Sequence, residues 1–150
     1  KLVLAGETFG WDVPETRNLK QLISKCGIES SVVFTGYVDD EALSCLYSAC
    51  QLFVFPSLYE GFGIPVVEAL KCGARLLLSD RTSIPEVAGD CAFYFNPEKE
   101  DDFLTVFGEA LEQSEPGCEF RSRGMERAAR FTWERTAAGV LALYDRIGGQ

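Results

Sequence analysis

The sequence predicts an α/β fold, a Rossmann-like doubly wound parallel sheet of about five strands with helices on both faces. Short apolar runs alternate along the chain with longer segments whose apolar residues recur at helical spacing. The short runs are continuously apolar, as in strands that are buried on both faces of a parallel sheet. A regular alternation of strand and helix then implies right-handed crossovers. At 150 residues the chain has the size of one domain.

The first part of the chain contains two predicted strands and two predicted helices. Residues 2–5 and 32–35 are the strands, the first of them fully buried, and Trp11 is the one large anchor in the loop before the first helix. That helix begins at Pro14 and ends at Gly27. The side chains on its expected buried stripe are Leu19, Leu22, Ile23 and Cys26. Asp39 suits the N-cap of the second helix. Its expected buried side chains are Leu43, Leu46, Tyr47 and Cys50.

The second part contains three further strands, at residues 52–55, 76–78 and 92–95. Pro65 opens the helix after the first of these, and Gly73 ends it. Ser83 and Glu86 have the three-residue offset of a capping box, which marks the start of the next helix. Further helices are expected from residues 96–97, over 118–131 and after the cap Thr132. The side chains expected to be buried in the first and last of these helices are Phe103, Phe107, Ala110 and Leu111, and Trp133, Ala137, Val140, Leu141, Tyr144 and Ile147.

Composition excludes several classes of function. A net charge of −9 argues against a nucleic-acid backbone as partner, since such partners select basic surfaces. The chain has no histidine, so it cannot itself supply a catalytic or metal-binding imidazole. The six cysteines lack metal-ligand spacing, and in a chain of this size they are interpreted as reduced thiols of a cytoplasmic protein.

Residues 56–68, between a strand and a helix, are the predicted functional segment. Ligands of doubly wound sheets bind beyond the carboxyl ends of the strands, where this segment lies. Gly61 and Gly63 flank Phe62 in a turn at a helix N-terminus, whose amides favour an anion or a hydroxyl. Glu60 and Glu68 bracket the turn. Each carboxylate can accept hydrogen bonds from two neighbouring hydroxyls, which suits a sugar or ribose diol.

Taken singly, the two glutamates have simpler explanations. Glu60 could be a solvated loop carboxylate, and Glu68 a charge that suits the positive end of a helix. Their position around two glycines and a proline at one strand-to-helix junction favours a binding site.

With these residues, the chain resembles the C-terminal, donor-binding half of a retaining glycosyltransferase of the GT-B fold, family 4 (the group 1 glycosyltransferases). The resemblance covers nearly the whole chain, and its most specific part is the pair of glutamates eight positions apart around Gly-Phe-Gly. The matching segments are residues 4–6, 33–38, 53–57, 60–65, 68–70, 72–73, 84–89 and 131–134.

The resemblance implies a role for each matched position. Glu60 would be the catalytic-site carboxylate that contacts hydroxyls of the donor sugar, and Glu68 would bind the ribose. The amides of Gly61, Phe62 and Gly63 would contact the sugar and diphosphate. Tyr37 and Val38 would lie beside the base. The family implies a nucleotide-diphosphate sugar (GDP- or UDP-hexose) as donor, no metal and no cofactor. Glu86 also matches, but its capping role is the simpler explanation.

The resemblance also implies what lies outside this chain. The central loop has no basic residue for a diphosphate; Lys71 lies beyond it, and Arg75 and Arg81 lie near another strand. In the family, an Arg and a Lys for the diphosphate follow a first strand that would precede Lys1. The chain is therefore expected to be one part, inactive alone, of a two-domain enzyme that binds a glycan or lipid-linked acceptor through an N-terminal domain, peripherally at the inner membrane face.

Without that first strand, the strands at residues 2–5 and 52–55 are expected to have uncovered edges. Direct pairing, self-association with a neighbouring chain or a longer polypeptide would each cover them. The alternatives for function are a nucleotide-sugar epimerase or phosphorylase of the same fold, and a non-catalytic doubly wound interaction module. The last would need an acidic cluster at the end of a first strand, which the sequence does not show.

Overall fold

The computed structural model describes residues 1–6, 13–113 and 118–148 of the chain. This part contains five strands and seven α-helices, which alternate as far as the helix after the last strand and are followed by two further helices. The strands are β1 (Leu2–Ala5), β2 (Val32–Gly36), β3 (Phe53–Phe55), β4 (Leu76–Ser79) and β5 (Phe93–Phe95). The helices are α1 (Pro14–Lys25), α2 (Asp40–Ala49), α3 (Ile64–Lys71), α4 (Ile84–Ala88), α5 (Glu100–Glu112), α6 (Cys118–Ala128) and α7 (Trp133–Gly148), and a 3-10 helix, Glu29–Ser31, precedes β2. Trp11 lies outside the described residues.

Every strand pairing is parallel, which confirms the predicted fold class. The strands form two sheets, one of order β1-β2 and one of order β3-β4-β5, where the sequence predicts a single sheet. Both β1 and β3 stand at the edge of their sheets. The chain divides into two compact units, Lys1–Leu43 and Ser44–Gln150.

The first unit is less buried than the sequence predicts. Leu2 on β1 is 51% exposed and Leu22 on α1 is 57% exposed, although both were expected to be buried. Cys26 is exposed as well, and Ile23 is the fully buried member of the α1 stripe. A two-stranded sheet offers little surface for a helix to cover. Asp39 does cap α2, because its carboxylate accepts a hydrogen bond from the Ala42 amide at 2.8 Å.

The core of the second unit is built around β4. All of its residues are buried, and α3 and α4 contribute the other large members of the core. The fully buried large side chains are Leu70, Leu76, Leu77, Leu78, Ile84 and Val66. Helix α6 packs closely on α3, because a Cβ on Gly124 would lie only 3.1 Å from the Leu70 side chain. This packing fixes α3, the helix that carries Glu68.

The later helices depart from the predicted burial. No residue of α7 is buried, and Trp133, interpreted as helix core, is 79% exposed. Helical spacing shows which residues share a face, but not whether another element covers that face. The other prediction at α7 is confirmed, since the Thr132 hydroxyl accepts a hydrogen bond from the Arg135 amide. Helix α5 begins at Glu100, and Leu111 on it is 37% exposed.

The cysteines that the structure describes form no disulfide with one another. They are Cys26, Cys45, Cys50, Cys72 and Cys91. Within the described residues, no helix combines the length and the apolar character that a membrane span requires.

Gly89, at the end of α4, provides a test of the fold. Its φ of 59° and ψ of −130° are open to glycine but costly for other residues. We expect Gly89→Ala to lower the free energy of unfolding by at least about 1–3 kcal/mol, because the backbone conformation is strained for alanine and because the added Cβ would lie only 2.6 Å from the guanidinium carbon of Arg127. Thermal unfolding followed by circular dichroism measures the effect.

The matched control is Gly108→Ala within α5, where an added Cβ meets nothing within 4 Å. This change should raise stability by about 0.5–1 kcal/mol, since alanine favours helix over glycine. Equal melting temperatures for the two variants would contradict the backbone assignment at Gly89.

Candidate functional site

The loop between β3 and α3 has the predicted glycine turn. Gly63 is the N-cap residue of α3 and lies in the left-handed region, with φ 95° and ψ 53°. Its carbonyl accepts hydrogen bonds from the amides of Val66, at 3.0 Å, and Val67, at 3.4 Å. Pro65 occupies the first turn, and Gly73 follows the C-cap residue with φ 69°. The start and end of this helix are therefore as predicted.

The amides before α3 are available to a ligand. Within the described part of the chain, the N–H groups of Gly61, Phe62 and Gly63 donate no hydrogen bond. A Cβ on Gly61 would meet nothing within 4 Å, so the turn opens onto free space. Donors at the positive end of a helix can bind a phosphate or a hydroxyl oxygen.

Glu60 is half-buried, and its carboxylate is held on one side. The Ser57 hydroxyl donates to Glu60 Oε1 at 2.8 Å; its distance to the Tyr59 carbonyl is longer, 3.3 Å. Among the described residues, Glu60 Oε2 has no hydrogen-bond partner. The carboxylate is thus oriented by a protein hydroxyl and retains a free oxygen.

The backbone of Glu60 is held from the loop between β4 and α4. Its amide donates to Thr82 Oγ1 at 3.1 Å, and its carbonyl accepts from the Ser83 hydroxyl at 3.0 Å. Ser83 makes no side-chain cap of α4, so the predicted capping box with Glu86 is wrong. The Ser83 hydroxyl binds Glu60 instead, a partner distant in sequence that the local pattern could not reveal.

Glu68 is also half-buried and held on one oxygen. The Tyr47 hydroxyl on α2 donates to Glu68 Oε2 at 3.3 Å. Burial, and then the negative charge of Glu68, raise the pKa of Tyr47, so the phenol stays a neutral donor. Glu68 Oε1 accepts no hydrogen bond in the described part of the chain. Glu68 and Glu60 therefore share one design, a carboxylate with one oxygen bound by a hydroxyl.

Phe62 contributes packing at the turn. Its ring is 45% exposed and contacts the ring of Phe131 edge-on, with centroids 5.5 Å apart. The ring contact is that of a packing anchor, and the predicted contact of the Phe62 amide with a ligand stays a prediction.

Tyr37 and Val38 follow β2, in the first unit. Tyr37 is 75% exposed and Val38 is half-buried. Their predicted place beside a base stays a prediction, since it depends on residues of the other unit.

The two arginines nearest the loop in sequence are engaged in other contacts. The Arg75 guanidinium is buried and donates to the carbonyls of Ala110 and Gln113 at the end of α5. Arg81 forms ion pairs with Asp80 at 3.2 Å and Glu98 at 2.7 Å. The Arg75 side chain is thus held inside the fold, and the Arg81 side chain is paired with carboxylates at the surface.

Four residues that hold the glutamates were not assigned this role from the sequence, and one of them, Ser83, was assigned to a capping box instead. Tyr47 was expected in the α2 core, and it is buried, but helical spacing does not show where its hydroxyl points. Ser57 lies in a matching segment without an assigned role. Thr82 carries no sequence signal.

The chain has parallel strands, a glycine turn at a helix N-terminus and two oriented carboxylates. These features place it in the class of Rossmann-like folds, whose ligands bind beyond the carboxyl ends of the strands. Within that class the family can be stated. The chain belongs to the glycosyl transferases group 1 family, whose model matches residues 1–131. This confirms the resemblance of the sequence to the group 1 glycosyltransferases.

Mannosyltransferases are among the similar curated proteins. The chain is 44% identical to the serotype-specific mannosyltransferase WbdA of Escherichia coli over 118 residues, 79% of this chain and 14% of that protein. It is 36% identical to the O-antigen chain mannosyltransferase B of Escherichia coli over 146 residues, 97% of this chain and 37% of that protein. The chain thus spans about a third or less of the length of these relatives.

Solved structures share the fold. Sucrose-phosphate synthase from Thermosynechococcus elongatus matches with a TM-score of 0.82 and 25% identity, over 99% of this chain and 38% of that one. Anabaena HepE in complex with UDP and glucose matches with a TM-score of 0.79 and 24% identity, over 93% of this chain and 39% of that one.

Proposed function

We propose that this chain is the donor-binding part of a longer, two-domain enzyme. The enzyme transfers a hexose, with mannose as the first to test, from a nucleotide-diphosphate sugar to a glycan or lipid-linked acceptor, with retention of configuration. Glu60 contacts the sugar hydroxyls, and Glu68 binds the ribose hydroxyls. The amides of residues 61–63 contact the sugar and diphosphate. No metal takes part.

The state of the two carboxylates carries this proposal. Ser57 holds one oxygen of Glu60 at 2.8 Å, Tyr47 contacts one oxygen of Glu68 through a longer hydrogen bond of 3.3 Å, and the second oxygen of each lacks a partner in the described part of the chain. A fixed carboxylate with a free oxygen can accept a hydroxyl hydrogen bond without first losing side-chain entropy. The mannosyl group is supported by the named relatives, and the glycan acceptor by the O-antigen enzyme among them.

Charge supports the placement in a longer protein. A diphosphate requires Arg or Lys partners as well as amides. Arg75 and Arg81 are engaged, and the net charge is −9. The remaining cations of the donor site, and the acceptor site, would come from the rest of the polypeptide.

Donor screening of the full-length protein tests this function. Purified protein is incubated with GDP-mannose, UDP-glucose or ADP-glucose, with and without a mannose-terminated oligosaccharide. We expect acceptor-dependent release of GDP from GDP-mannose, and a product whose anomeric configuration by NMR matches that of the donor.

The alternatives leave different products. A phosphorylase would consume inorganic phosphate and form a sugar 1-phosphate. An epimerase would change the configuration of the donor sugar and would transfer nothing to the acceptor. A doubly wound interaction module would turn over none of the three donors. Any of these outcomes would overturn the proposed transfer.

Tyr47→Phe tests the support of Glu68. The change removes one hydrogen bond to a carboxylate and keeps the buried ring, so the donor KM should rise about fivefold, the effect of about 1 kcal/mol. Initial-rate kinetics of the full-length protein at varied donor concentration measure it. Tyr144→Phe on α7, where the side chain is 70% exposed, is the matched control and should leave KM unchanged. An equal donor KM in the two variants would show that Tyr47 does not support donor binding.

A further inference from the structure

The Glu60 backbone is bound on both sides by hydroxyls of consecutive residues in another loop. Thr82 Oγ1 accepts from the Glu60 amide at 3.1 Å, and Ser83 Oγ donates to the Glu60 carbonyl at 3.0 Å. The Glu60 amide thus has a partner 22 positions away in the sequence, and the Glu60 carbonyl has one 23 positions away. The loops after β3 and β4 are thus joined at Glu60.

Thr82 adopts an uncommon backbone conformation in making this contact. It has a φ of 51°, the one positive value among non-glycine residues in the described part of the chain. A β-branched residue is strained in the left-handed region, where glycine or asparagine is favoured. Such strain persists where the surrounding structure fixes it, and it concentrates at functional sites.

Ser83 binds the Glu60 carbonyl instead of capping the helix that it precedes. It precedes α4, where a serine hydroxyl ordinarily caps the helix amides. Its side chain makes no cap and is directed to Glu60 instead. Both residues therefore depart from their local preference, and both departures serve the backbone of Glu60.

We infer that Thr82 and Ser83 are positioning residues for Glu60, which hold its backbone so that the carboxylate meets the donor sugar at a fixed place. This inference rests on the proposed function. The Glu60 side chain is oriented by Ser57, but that hydrogen bond fixes a direction relative to its own loop only. The hydroxyls of Thr82 and Ser83 fix the loop itself against the β4–α4 connection. Small displacements of a reacting group are costly in rate, about 100-fold for 1 Å.

Isosteric variants of the full-length protein test the inference. Thr82→Val retains the branched shape and loses the acceptor, whereas Thr82→Ser retains the hydroxyl. The double variant Thr82→Val/Ser83→Ala should lower kcat about tenfold with a donor KM within about twofold of the parent, since the glutamate is misplaced and Glu68 is untouched. Thr82→Ser, with Ser83 unchanged, should turn over at the rate of the parent.

Hydrogen exchange provides a readout independent of turnover. In Thr82→Val the amide of Glu60 loses its acceptor, so mass spectrometry should show faster exchange in the peptide that contains it, with Thr82→Ser at the parent rate. The matched control is Thr105→Val on α5. It removes the hydrogen bond of 2.8 Å that the Thr105 hydroxyl donates to the Asp101 carbonyl. It should change neither kcat nor the hydrogen exchange of the Glu60 amide.

The outcomes separate the inference from the function on which it rests. A parent protein that transfers no sugar from any donor overturns the proposed function, and the positioning role with it. An active parent whose folded double variant turns over at the parent rate overturns the positioning role alone. Equal loss of kcat in Thr82→Val and in Thr105→Val would show a general effect of hydroxyl removal, which also overturns it.

Discussion

Glu60→Gln should lower kcat/KM of the full-length protein about 100-fold while the protein remains folded. A carboxylate that accepts hydrogen bonds from sugar hydroxyls contributes about 1.5–3 kcal/mol per charged contact, and about 1.4 kcal/mol corresponds to a factor of ten. The amide of glutamine is close to isosteric but uncharged, and one side of it donates where the sugar hydroxyls and Ser57 require an acceptor. Most of the loss should appear in kcat, because the contact is to the sugar that moves.

Initial rates of nucleoside diphosphate release measure this effect, with circular dichroism melting as the test of folding. Glu109→Gln is the matched control, since it removes an exposed carboxylate on α5. It should leave kcat and KM at the values of the parent. Near-normal turnover in Glu60→Gln would contradict the role of Glu60, even if transfer itself is confirmed.

The elements that local chemistry determines were predictable from the sequence. Gly63 and Gly73 need positive φ, Pro65 suits the first helical turn, and Asp39 and Thr132 cap their helices. In each case the side chain or its absence acts on the backbone within a few residues, so the pattern alone suffices. The same is true of β4, where four successive apolar or small residues are all buried.

Contacts distant in sequence were not predictable in this way. The offset of Ser83 and Glu86 is that of a capping box, yet the Ser83 hydroxyl binds the Glu60 carbonyl. The stripe on α7 has the spacing of a buried face, yet Trp133 is 79% exposed. Periodicity identifies faces and caps, whereas tertiary packing decides their partners. The two glutamates are evident from their spacing and from the resemblance, whereas the hydroxyls of Tyr47, Thr82 and Ser83 reach them only through the tertiary fold.

Glu68→Gln should raise the donor KM about 30-fold and leave kcat within a few-fold of the parent. Glu68 is assigned to the ribose, which does not change during transfer, so its hydrogen bonds contribute equally in the ground and transition states. Loss of one charged hydrogen bond at the half-buried position accounts for about 2 kcal/mol. Glu60→Gln and Glu68→Gln are chemically identical changes. The first should act mainly on kcat and the second mainly on the donor KM, so the comparison distinguishes the two roles.

A double-mutant cycle with Tyr47 tests whether the two residues act as a pair. Because the Tyr47 hydroxyl donates to Glu68 Oε2, its effect on donor binding should require the carboxylate. We expect Tyr47→Phe to raise KM about fivefold in the parent and less than twofold in the Glu68→Gln background. The cycle is measured by initial rates at varied donor concentration, at constant acceptor. Additive effects would mean that Tyr47 acts on the donor by another route, and an unchanged KM in Glu68→Gln would remove the ribose assignment.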